Sequence, residues 1–259
     1  MRIKNSIYII LILISLVITY KTGNTGQNYV LESHEIFLKN GIGYYKNLEF
    51  KKALDNFQKY AGISENQIES YFFIFAANIK LGRYEDAAAA IETAVHIRTN
   101  EFLNNYNAET GFKNIKLPSY TGEINLELNN AINDIEFDLR KAALTDPDSF
   151  YILLNTAYIK YFKENYEDSI DYLKAAAAQK KLPELYFYTA FSLYKLNKFS
   201  DSEEYIKKFM QSEQENAEAI FIHALNSYNL KNTVETEKSK DALKLIDTKL
   251  FNNLINIIK

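Results

Sequence analysis

Three positions repeat at one interval: Phe50 and Tyr84, Ala53 and Ala87, Phe57 and Ile91 each lie 34 residues apart. A constant interval of this length says that one structural unit is used again, and that each copy buries its apolar face against the next. The stretch Glu69–Ala94 shows the unit most fully. Phe72, Ala76 and Ile79, then Ala87, Ile91 and Ala94, recur every three or four residues, the spacing of a helix face. Leu81-Gly82-Arg83 separates the two runs, because glycine accepts the backbone angles that end a helix. Ala87 and Ala90 are small enough to let the two backbones approach closely. The unit is therefore a pair of helices joined by a tight turn.

Looser copies follow downstream. His34–Ala61 is the first copy, with Gly41 and Tyr44 in its first helix. Tyr166, Ser169, Leu173 and Ala176 repeat the second-helix pattern after a first helix holding Leu154, Ala157 and Tyr158, with a turn at Phe162–Asn165 about two residues longer than the others. Phe199, Ser202, Ile206 and Phe209 repeat it again after Tyr186–Leu196, and Pro183 suits a helix start. Ala217–Leu230 reads as one more first helix, whose Ala224 lies 34 residues after Ala190. Between the copies, His96–Leu117 is Asn-rich and weakly periodic, and Lys116–Gly122 reads as a loop. Ile124, Leu128, Ala131, Ile135, Leu139 and Ala142 then trace a helix face that stops at Asp146-Pro147. An insertion near residues 100–122 is expected to bulge from the stack.

An aromatic opening the second helix, a small residue three later and an apolar one four beyond that resembles the tetratricopeptide repeat family. The resemblance covers residues 33–230 and implies an all-α, right-handed superhelical solenoid of helix-turn-helix pairs. On this reading 1–26 is a signal peptide or N-terminal membrane anchor, 27–99 the first pair of repeats, and 100–147 an insertion with a degenerate repeat helix. Residues 148–231 form the second array and 232–259 the capping helices that cover its last face. In that family the first helices line a concave groove. Carried over position by position, this implies a partner-binding set of Leu38, Ile42, Tyr45, Phe72, Ile79, Ile152, Ile159, Phe187, Phe191, Tyr194, Phe221 and Tyr228. Family members that clamp acidic chaperone tails use Lys, Asn and Arg there, so an apolar peptide is the expected occupant. The alternative is that these aromatics are core, packed against neighbouring repeats or a curled terminus.

Composition narrows the function. With 8 Gly and 3 Pro in 259 residues, long helices with brief links are favoured over many short strands. A net charge of −3, without a basic run longer than two, argues against a nucleic-acid partner. The chain has no cysteine, which removes disulfides, thiolate nucleophiles and Cys-zinc sites. His34, His96 and His223 fall in no metal-ligand spacing, and neither a phosphate loop nor a G-x-S-x-G elbow occurs. No enzyme activity, cofactor or metal is expected. Glu35, Glu69, Glu184 and Glu218 near first-helix starts, with Lys46, Lys80, Lys160 and Lys195 near their ends, follow the helix dipole, worth about 0.3–1 kcal/mol each. Arg2 and Lys4 precede the apolar or neutral run Ile7–Tyr20, the layout of an export signal, with an uncleaved anchor as the alternative. The expectation is an exported or membrane-anchored adaptor facing the periplasm or exterior, which binds a protein or peptide and meets the membrane through its N-terminal segment alone. A subunit of an envelope or outer-membrane assembly complex, and a small-ligand binder or enzyme with an unrecognised site, are the alternatives.

Overall fold

The structure is a computed structural model that describes residues 26–63, 67–104 and 122–258. The expected export segment and most of the expected insertion loop lie outside these residues. Among them there are twelve helices and no strand. In chain order they are α1 Gly26–Lys46, α2 Phe50–Ile63, α3 Ile68–Lys80, α4 Tyr84–Asn104, α5 Gly122–Thr145 and α6 Phe150–Phe162. The rest are α7 Tyr166–Gln179, α8 Pro183–Lys195, α9 Phe199–Met210, α10 Ala217–Asn229, α11 Thr233–Ile246 and α12 Thr248–Ile257. The chain divides into two compact units, Met1–Glu65 and Asn66–Lys259.

Five tight turns carry the repeat. Each has one residue in the left-handed region: Leu48 (φ 61°), Gly82 (70°), Glu164 (61°), Asn197 (58°) and Lys231 (59°). The amide of that residue bonds the carbonyl three residues back, as in Leu48 to Tyr45 and Lys231 to Tyr228, at 2.9–3.0 Å. The next amide bonds the carbonyl five back, as in Glu49 to Tyr44 and Asn232 to Ser227, at 2.8–3.0 Å. This double closure satisfies the last free carbonyls of the first helix and aims the chain back along it. The second helix begins two residues after the left-handed one, at Phe50, Tyr84, Tyr166, Phe199 and Thr233. The turn before α7 holds three residues, like the other four, so the expected extra length there is absent. Glutamate at the left-handed position hid the match, because only Gly82 among the five advertises that backbone state.

Small residues fix the closest approach within each pair. Ala53, Ala87, Ser169, Ser202 and Thr236 are all buried, five residues past the left-handed position. Ser169 Oγ donates to the Ala157 carbonyl at 3.0 Å and Ser202 Oγ to the Ala190 carbonyl at 2.8 Å. Each bond ties the second helix to the backbone of its partner and satisfies that serine's own buried hydroxyl.

Within the first unit α1 packs on α2. Gly41 is buried there because a Cβ on it would sit 2.4 Å from the Phe57 ring. Within the second unit α3–α4, α6–α7, α8–α9 and α10–α11 are the pairs, and each packs on the next through α4–α6, α7–α8 and α9–α10. First helices α3, α6, α8 and α10 are buried almost all round, whereas α7, α9 and α11 bury one side only. That difference follows from apolar residues surrounding the first set and forming a stripe on the second. α5 lies against α3 and α6. Lys80 pairs with Asp138 at 2.7 Å, and Lys163 with Glu136 at 2.7 Å, along that contact. α12 packs on α10, α11 and α4.

Candidate functional site

The second half of α4 decides what the inner helices offer. The Asn-rich run after His96 continues the helix through Asn104. Its buried Val95, Thr99, Phe102 and Leu103 keep helical spacing, a signal that the surrounding asparagines mask. This half lies along α6 and α8. Thr99 Oγ1 is 2.8 Å from the Tyr161 hydroxyl, and the Phe102 ring is 5.1 Å from that of Phe191. Arg98 donates to the Phe162 carbonyl and, at 2.6 Å, to Glu164. Near the start of the helix, Asn155 Nδ2 donates to the Tyr84 carbonyl at 2.8 Å. The C-terminal helix then closes the far end, where Asn253 Nδ2 donates to the carbonyls of Leu103 and Asn104 at 3.1 and 3.2 Å. Two helices of the chain itself thus cover part of the inner surface.

The positions expected to line a groove reflect this. In the first unit Leu38 is buried, while Ile42 and Tyr45 are half-buried, Tyr45 edge-on to Phe50 at 5.3 Å. In the second, Phe72 packs between Phe75 at 5.6 Å and Phe162 at 5.2 Å. Phe187 meets Phe209 at 5.3 Å, Phe191 meets Tyr161 at 5.7 Å, and Tyr194 meets Phe199 at 5.6 Å. Ile79, Ile152, Ile159 and Phe221 are buried. Only Tyr228, 42% accessible, stands in solvent. Most of the expected groove is helix-to-helix packing.

An open trough remains between α5, α6 and α7, with a volume of about 720 Å³. Its floor includes Leu139, Ile152, Leu153 and Ile159, so two of the expected residues meet here. Leu144 (86% accessible) and Tyr172 (36%) form its lips. Arg140, Lys160, Asp168 and Asp171 give the walls both signs of charge. Glu136 at one end is pushed up by burial, but hydrogen bonds from Lys163 and Lys160 outweigh that and hold it below the ordinary carboxylate value. It stays ionised and fixes the two lysines. The arrangement suits a segment with apolar anchors and mixed polar flanks.

Titratable groups elsewhere stabilise structure. His223 Nδ1 lies 2.9 Å from Glu203 and its Nε2 3.8 Å from Glu235. Burial raises the Tyr158, Tyr161 and Tyr188 phenols well above their usual value. Among the described residues no three His, Asp or Glu side chains converge as metal ligands.

Five identical turns, an aromatic at the start of four second helices and a buried small residue after it decide the architecture. The second unit is an all-α helical solenoid built of tetratricopeptide-like helix pairs. Neither a protein-family model nor a curated protein sequence matches it. Similarity is found instead among solved structures. Pseudomonas aeruginosa pilF is 14% identical over 87% of this chain and 98% of its own, with a TM-score of 0.42. PilW, described as a widely conserved type IV pilus biogenesis factor, is 16% identical over 86% of this chain and 98% of its own, with a TM-score of 0.44. The TPR2AB domain of yeast Sti1, in complex with a pHSP90 peptide, is 16% identical over 88% of this chain and 97% of its own, with a TM-score of 0.37.

Proposed function

We propose that this chain is a non-enzymatic adaptor of the cell envelope, which holds a segment of a protein partner in the trough between α5, α6 and α7. The observation that carries the reading is an open, apolar-floored channel whose lips, Leu144 and Tyr172, are accessible. Apolar groups left in water at a concave rim gain free energy when covered, about 25 cal/mol for each Å² removed from water. Ile152 and Ile159 form the floor on which an anchor residue rests, and Arg140 with Asp171 flank it. Phe72, packed on Phe162, and Phe191, packed on Tyr161, brace α6 from the core. Tyr228, on α10, is a separate exposed contact point.

Export is proposed from Arg2, Lys4 and the run Ile7–Tyr20. Among the described residues no helix is long and apolar enough to cross a membrane. Contact with the bilayer is proposed for the N-terminal segment on the strength of that same run. A photo-reactive residue at Tyr172 tests the docking role directly. A discrete protein adduct that disappears with Leu153→Glu supports the trough, and adducts of equal yield from the distant, exposed Leu245 oppose it.

A further inference from the structure

The trough between α5, α6 and α7 receives apolar side chains but offers little to a peptide backbone. Its walls are helices, whose amides and carbonyls bond within the helix. Among the described residues no strand presents an open edge, and no asparagine, glutamine or serine lines the trough. Its one threonine, Thr156, donates its hydroxyl to the Ile152 carbonyl at 2.8 Å. Lys160 is held 3.2 Å from Glu136 and 3.5 Å from Asp168. Pro147, also in the lining, has no amide hydrogen to give. An extended segment laid here would lose water from its backbone and gain few partners in return. A helix arrives with its backbone already paired.

The floor and the rims agree with a helical occupant. Ile152, Thr156 and Ile159 stand at i, i+4 and i+7 on α6, a ridge two turns long that interlocks with side chains of the same spacing. The two rims differ in sign. Arg140 stands on α5 and Asp171 on α7, both exposed, and neither has a partner among the described residues.

We infer that the trough takes an amphipathic α-helix of a protein partner, with an acidic flank toward α5 and a basic flank toward α7. The inference rests on the docking role proposed above and adds the conformation and charge order of what docks. Leucine-sized residues at helical spacing fill the floor, an acid pairs with Arg140, and a base pairs with Asp171.

Fluorescence anisotropy with the full chain tests it. The probe is a stapled two-heptad helix with leucine at a and d, glutamate at g and lysine at e. Two companions carry glutamate, or lysine, on both flanks, and an unstapled third carries proline at its centre, which breaks the helix. The mixed-flank helix should bind saturably and severalfold more tightly than either uniform one, and the proline peptide should not bind. Arg140→Glu should shift the preference to the lysine-flanked helix, and Asp171→Lys to the glutamate-flanked one. Equal affinity of the mixed and uniform helices, or no saturable binding by any of them, would overturn the inference, and the Tyr172 crosslink then judges the docking role by itself. Binding of the proline peptide that Leu153→Glu abolishes would keep the trough and refute the helix. Helix binding that survives Leu153→Glu would refute both. A Tyr172 adduct that maps to the chain's own residues, within one molecule or across a dimer, would give the seat to this chain and overturn the partner helix.

Discussion

Phe102 meets Phe191 edge to face, 5.1 Å between centroids at 77°, and the ammonium of Lys195 rests 3.9 Å from the centroid of the Phe102 ring. This contact joins the end of α4 to α8, helices of different repeats. Truncating Phe102 to alanine leaves a hole that rigid helices fill poorly. The expected loss is about 3–5 kcal/mol, read by chemical denaturation. A loss below about 1 kcal/mol would show that the far half of α4 is not held on α8.

Lys195 should titrate unusually low. Burial lowers its ammonium to about 8, against 10.5 for an ordinary lysine, with Glu164 partly opposing the shift. A methyl-labelled NMR titration should find its midpoint near pH 8. The sign of the linked stability follows. Between about 8 and 10.5 the unfolded chain binds more protons at this site, so this lysine makes stability rise with pH there. A midpoint at the ordinary lysine value would contradict the burial of its head group.

The turns make opposite predictions at equivalent places. Lys231, at φ 59°, pays a steric cost that glycine does not. Lys231→Gly should raise stability by about 0.5–1 kcal/mol, and Gly82→Ala, at φ 70°, should lower it by about 1 kcal/mol. Thermal melts check both. Equal signs would mean that the two turns are not equivalent.

Gly41 to alanine tests packing against propensity. Helix propensity alone favours alanine by about 1 kcal/mol. The new methyl would fall 2.4 and 2.6 Å from carbons of the Phe57 ring, a distance that forces movement. Net destabilisation of about 1–3 kcal/mol is expected, relieved when Phe57→Leu is added. Stabilisation by Gly41→Ala alone would refute the close approach.

Much of the helix-pair architecture could be read from the chain because the repeat rests on a few steric rules. Phe50, Tyr84, Tyr166 and Phe199 open second helices as expected, and Pro183 and the Asp146-Pro147 stop fall where helices begin and end. The interior of the groove was not legible. Periodicity places Phe187 and Phe191 on a face but cannot say what covers that face. Here Asn100 and Asn104 obscured a helix whose Thr99 and Phe102 occupy it, and Asn253 acts across 150 residues to Leu103.

The adaptor role is tested most directly by the photo-reactive substitution at Tyr172, carried out in intact cells and compared with one at Leu245, which is 87% accessible on α11. One dominant adduct at Tyr172, absent at Leu245 and lost with Leu153→Glu while the melt is unchanged, is the predicted result. Indistinguishable adduct patterns at the two positions, or an adduct that survives Leu153→Glu in full yield, would contradict the account.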